Sequence, residues 1–202
     1  MRHAKPPAKS KPDQRQRNDQ KLQENFPDVP KDMIWDRGRH HGFATVPRTM
    51  PIVMQAIKHV GIKQGAKGDP AGHTLLCLWI RAMDHPYMVV DNPGVFAAEA
   101  GLHGDRAAAR WRTRMKMLAE MGFIAAKSGD AGPFHHVLLL NPNKATVRLH
   151  AKGLIPDDLY KRFLVRAEKV GAQPEIDEEL GIHPQEEEGL ADDEERMDSE
   201  GD

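Results

Sequence analysis

The feature that most constrains this chain is an amphipathic helical run cut off at Gly122 and followed at once by Phe123 and Ile124. In residues 105–121, DRAAARWRTRMKMLAEM, a helical turn of about 100° per residue puts Ala107, Ala108, Met115 and Leu118 within about 60° of Trp111. The opposite face holds Arg106, Ala109, Arg110, Thr113, Lys116, Met117 and Glu120, with Arg112 on its flank and Arg114 at the edge of the apolar stripe. Glycine permits the sharp reversal at 122, and Phe123–Ile124 then drive a strand back against the core. A long half-buried helix running straight into a strand predicts an α+β fold, with Trp111 in its core.

The flanking segments extend this plan. Residues 1–30 are rich in Lys, Arg, Gln, Asn and Pro without apolar periodicity, which predicts a basic flexible arm. Order is expected to begin near Met33–Trp35, and the segment to residue 48, anchored by Trp35 and Phe43, to lie extended over the domain. Thr49 is placed to cap a helix over 50–60, with Pro51 in its first turn and Gly61 as its stop. The Gly-rich stretch 61–73 lacks the Gly-Lys-Ser/Thr ending of a phosphate loop and reads as a linker.

From residue 70 to 83, Leu75, Leu76, Leu78, Trp79, Ile80 and Met83 make a helix apolar on nearly all sides, suited to the centre of a domain. PYMVV (86–90) reads as a strand, and 92–101 as a short helix entered through Asn92 and Pro93 and closed near Gly101. After Gly122, FIAAK and FHHVLLL are two strands of a hairpin joined by SGDAGP. Pro142 interrupts the ladder, and residues 143–153 have no clear class. Tyr160, Phe163, Leu164, Ala167 and Val170 form the stripe of a helix over 156–170.

Buried helix, short strand, short helix, turn, long helix, hairpin: over residues 70–141 this order resembles a winged helix-turn-helix DNA-binding domain. FAAEAGLHGDRAAARWRTRMKMLAEMGFIAAKSGDAGPFHHVLLL carries most of the resemblance. Ala97, Ala98 and Ala100 leave room for the next helix to pack closely, and the passage into Gly-Phe-Ile marks the start of a wing. The chain is also similar in style to bacterial regulators and replication-associated proteins of plasmids and phages. The resemblance implies a winged helix-turn-helix with extra flanking helices and disordered tails. It implies double-stranded DNA as partner and a homodimer, since one such helix contacts only a few base pairs. Helices 50–60 and 156–170 are either the dimer-forming elements or simply part of the core.

In such a domain the second helix lies in the major groove and offers its early residues to base edges. Arg106 and Arg110, one turn apart near that end, are the candidates for guanine contacts. Thr113 suits a thymine methyl or a phosphate, and Arg112 and Lys116 suit backbone phosphates. Lys127, near the wing tip, is placed for a flanking phosphate or the minor groove, with Asp130 diluting its charge. Cations also decorate ordinary solvated helix faces, but five cations and no acid from Arg106 to Lys116 favour a nucleic-acid contact.

Charge is segregated along the chain, although the net charge is −1. Residues 1–21 hold seven Lys/Arg against two Asp, and residues 173–202 hold fourteen Asp/Glu against one Arg. The second segment reads as an acidic disordered tail, a solubilising extension or a site for a protein partner. The domain plan is therefore an arm (1–30), an extended segment plus helix (31–69), a winged domain (70–141), a helical extension (142–172) and a tail (173–202).

Cys77 is the only cysteine, which excludes an intrachain disulfide framework or a cysteine-based zinc site. His135 and His136, adjacent on a strand, are expected on opposite faces and unable to share a metal, and His40–His41 lacks spaced partners. Neither metal nor cofactor is expected, and no triad or paired carboxylates at useful spacing suggest an enzyme. No apolar run approaches the roughly 18 residues of a membrane span, and no signal-peptide core is present, so the expectation is a cytoplasmic protein. Two functions fit: a sequence-specific DNA-binding regulator, or a winged-helix adaptor for protein–protein contacts.

Overall fold

The computed structural model describes residues 14–65, 71–82 and 85–182. The parts of the expected arm, linker and tail at 1–13, 66–70 and 183–202, and Met83 of the apolar helix, lie outside the described residues. The chain divides into two units, Met1–Phe43 and Ala44–Asp202.

In the first unit, part of the expected flexible arm is a helix, α1 (Gln14–Asn25). A turn at 37–39 interrupts the stretch expected to run extended, whereas 40–47 has neither helix nor turn. Asp36 organises the second turn, its Oδ1 accepting from the Gly38 N–H at 2.7 Å. Trp35 meets Phe43 edge-on at 6.3 Å, and the Arg37 guanidinium lies 4.9 Å from the Phe43 ring centre. No described side chain of this unit is buried.

The second unit is α+β. Its elements are α2 (Met50–Lys63), α3 (Ala71–Arg81), β1 (Tyr87–Val89), α4 (Pro93–Glu99), α5 (Ala107–Glu120), β2 (Ile124–Gly129), β3 (Gly132–Leu139), α6 (Pro142–Ala151), α7 (Asp157–Val170) and α8 (Gln173–Leu180). The strands form one antiparallel sheet in the order β1-β3-β2. No helix among the described residues is long and apolar enough to cross a membrane.

α3 sits between α2 and α5, burying Ala71, Thr74, Leu75 and Leu78. It is less enclosed than its composition predicts, because Ile80 is 52% exposed. Gly72 lets α2 and α3 approach closely: a Cβ there would lie 3.1 Å from Met54 Cα. α2 runs through Gly61 to Lys63, two residues beyond the expected stop, with Gly61 buried. Thr49 occupies the N-cap position without capping, because its hydroxyl donates to Asn143 Oδ1 at 2.7 Å.

α4 and α5 form the helical pair read from the sequence. The Asn92 side chain accepts from the Gly94 N–H at 3.0 Å, starting α4 with Pro93 in its first turn. α5 ends where Gly122 takes a φ of 81°, so that the Phe123 N–H reaches the Leu118 carbonyl at 2.9 Å. An L-residue is strained in that conformation, so Gly122→Ala is expected to lower stability by about 1–2 kcal/mol. Urea denaturation reads this directly, and an unchanged midpoint would refute the constraint.

The β2–β3 turn is tighter than SGDAGP suggests, with Gly129 and Gly132 already in the strands and paired. The register shifts between Lys127 and Gly129. Extra β3 residues at such a bulge break the alternation of side chains. His135 and His136, expected on opposite faces, therefore have ring centres only 4.5 Å apart.

Residues 142–182 differ most from expectation. Pro142 does more than end the ladder: it enters α6 at the first turn, and Asn141 Oδ1 accepts from the Asn143 and Lys144 N–H groups. α7 follows its predicted stripe, with Tyr160, Phe163 and Ala167 buried and Gly171 closing it at a φ of 76°. The first part of the expected acidic tail is folded as α8, which packs on α6 and α7 with Ile176 fully buried. α2 and α7 use their apolar faces within the chain, burying Val53, Ile57, Val60, Leu159 and Phe163 in one core with Trp111 and Phe123.

Candidate nucleic-acid interface

α5 is fixed from three sides. Trp111, 1% exposed, has the Phe96 ring of α4 at 5.9 Å and the Phe134 ring of β3 at 6.2 Å. Met115 and Leu118 are buried below it, as the helical spacing predicts. Half-buried Arg114 reaches back with Nη1 to the Ala100 carbonyl at 3.3 Å and to Thr74 Oγ1 at 3.5 Å. It therefore ties α5 to α3 and to the end of α4, a role its place at the edge of the stripe hints at without naming the partners.

This anchorage leaves one face of α5 in solvent. Arg106 at the N-cap position, Arg110, Thr113 and Lys116 are all exposed on it. Arg106 makes no side-chain capping bond. Arg110 is already engaged, donating from Nη2 to the His103 carbonyl at 2.6 Å. That bond braces the turn between α4 and α5, so Arg110 has a structural task as well as an exposed position. The Thr113 hydroxyl donates to the Ala109 carbonyl of its own helix at 3.2 Å. Lys116 has Glu120 Oε1 at 3.8 Å, a pair in which both side chains are more than half exposed and which contributes little to stability.

Arg112 and Lys127 stand apart from that face. Arg112 is half-buried beside the hairpin, its Nε 4.0 Å from the position of a Cβ built on Gly132. Lys127 is exposed on β2 opposite His136 of β3. The register gives it the outward face of the sheet, with Leu138, Tyr87 and Val89. On that face the Tyr87 hydroxyl and His136 Nδ1 are 2.9 Å apart and their rings stack at 6.1 Å. The structure thus brings four of the six candidates onto one helix face and sets Arg112 and Lys127 along the hairpin.

Some neighbours of the site carry no local sequence signal. Arg81 of α3 makes a two-pronged contact with Glu99 of α4, Nη2 to Oε1 at 2.7 Å, and its guanidinium lies 4.3 Å from the Phe96 ring centre. The hydrogen bond from Arg81 holds the Glu99 carboxyl below its usual range. Cys77, behind this pair, has its thiol pushed up, first by burial and then by the Glu99 charge. These contacts join different helices, α3 and α4, and come from folding alone. Among the described residues no group of three or more His, Cys, Asp or Glu is arranged to hold a metal.

Comparison with protein-family models, with curated proteins and with solved structures finds no match for this chain.

Proposed function

We propose that α3, α4, α5 and the three-stranded sheet make a winged helix-turn-helix. The protein then acts as a sequence-specific double-stranded DNA-binding regulator, of transcription or of plasmid or phage replication, by occupying its site in the cytoplasm. The carrying observation is the solvent face of α5: Arg106, Arg110, Thr113 and Lys116 exposed together on a helix whose other side is locked by Trp111. A rigid, exposed, cationic helix is what the major groove accepts, and the cations supply the salt-dependent part of affinity. Arg106 is the stronger base-reading candidate, since Arg110 holds the preceding turn as well. Occupancy needs no catalytic group, and pairing of two copies on adjacent half-sites would supply specificity.

A second reading is a protein–protein adaptor, favoured by the partly apolar outward face of the sheet, where Tyr87, Val89 and Leu138 are 45%, 40% and 39% exposed. Selection of bound fragments from a random duplex library, followed by a salt series, separates the two. Arg106→Ala is expected to reduce preference for the selected site by about 1–3 kcal/mol. Lys116→Ala should weaken all duplexes alike and lower the salt slope by about one unit. If both variants bind selected and unrelated duplexes as the parent does, the groove-reading helix is wrong and the adaptor reading stands.

A further inference from the structure

Where the segment ahead of α2 meets the ends of β3 and α7 and the start of α8, the fold leaves a cleft of about 500 Å³. That lies inside the roughly 300–1,000 Å³ of small-molecule sites. Val46, Trp79, Leu139 and Val170 give it largely apolar walls. One side is a buried polar network. Thr49 is 1% exposed and donates to Asn143 Oδ1 at 2.7 Å, and Asn143 is itself 4% exposed. The Asn143 and Asn141 side-chain amides then both donate to Glu175 Oε2, at 2.9 and 2.8 Å.

This arrangement holds the Glu175 carboxylate by one oxygen, while Oε1 has no hydrogen-bond partner among the described residues. One cation of the lining is also unengaged: the exposed Arg48 side chain makes no hydrogen bond or ion pair among the described residues. The Trp79 indole N–H is enclosed beyond the reach of a guest, so Trp79 belongs to the apolar wall. An aliphatic guest would leave both charges unmatched, a simple anion would face the carboxylate, and a simple amine would face the guanidinium.

We propose that this cleft binds a small zwitterion with an apolar body, of the α-amino-acid class. The ammonium group pairs with Glu175, the carboxylate with Arg48, and the side chain packs on the apolar wall. Nothing in it depends on the α5 face, so it stands or falls apart from the DNA-binding reading.

Calorimetric titration of the full chain with leucine and phenylalanine tests it, alongside isoamylamine, phenethylamine and the N-acetyl amino acids. At least one amino acid should bind saturably at one site per chain, and its decarboxylated and N-acetylated counterparts at least about tenfold more weakly. Glu175→Gln keeps an acceptor for the two asparagine amides while removing the charge, and should weaken amino-acid binding about tenfold with the melting temperature retained. Arg48→Ala, at an exposed position, should weaken the amino acid and leave amine binding unchanged. Absence of binding by both amino acids overturns the proposal. So does equal binding of the amine or the N-acetyl form, or parental affinity in both variants.

Discussion

Trp111→Ala is expected to remove about 3–5 kcal/mol of unfolding free energy, the range for truncating a large aromatic in a closed core. Trp111 is 1% exposed and is the one side chain of α5 whose ring meets both Phe96 of α4 and Phe134 of β3. Alanine leaves a void bounded by elements that cannot all close on it. α5 is held by α3 and β2 as well as by α4, and moving toward one partner opens a gap against another. The melting temperature should fall by roughly 10 °C, since a domain of this size loses about 2–4 °C per kcal/mol. Trp111→Phe, which keeps an aromatic ring, should cost less than half as much. Thermal and urea denaturation followed by circular dichroism measure both. A loss below about 1 kcal/mol in the alanine variant would mean that the tryptophan is not the keystone of the helix pair.

How far such positions were readable depends on whether their cause is local. α5 was legible because period, glycine stop and apolar stripe agree within one segment, and Trp111, Met115 and Leu118 are buried as that stripe requires. α4 was legible through Asn92 and Pro93, and α7 through its stripe and Gly171. α6 is hidden because Pro142 alone signals the end of a ladder, whereas Asn141 and Pro142 together start a helix when the chain continues in register. α1 has no apolar periodicity to announce it. Thr49 shows how a distant partner overrides a local rule: its hydroxyl would suit a cap, but Asn143, 94 positions away, takes it.

For the candidate site, helical spacing was enough to group Arg106, Arg110, Thr113 and Lys116. The bond from Arg110 to the His103 carbonyl, the approach of Arg112 to Gly132 and the close His135–His136 rings depend on a tight turn and a bulge. Their geometry is not periodic, so spacing could not reveal it.

The boundary of the acidic segment offers the sharpest test of composition against structure. Ending the chain after Ala172 should lower stability by about 3–5 kcal/mol relative to ending it after Ile182. The cut after Ala172 removes α8 and with it Ile176, which is fully buried on α6 and α7. Loss of a buried isoleucine accounts for about 2–5 kcal/mol when the cavity cannot collapse. The cut also deprives the Asn143 amide of Glu175, leaving a buried donor unmet beside Thr49, at about 1–3 kcal/mol unless water enters. The ion pairs Arg148–Glu179 and Lys144–Glu178 go too, each with one exposed and one partly enclosed side chain, and add a smaller share. Ile176 anchors this acidic octapeptide, and three of its four carboxylates do not oppose the packing because they face Lys144, Arg148, Asn141 and Asn143. Equal melting temperatures for the two truncations would show that Ile176 contributes no core. A drop in the shorter chain would show that residues 173–182, acidic as they are, belong to the folded unit.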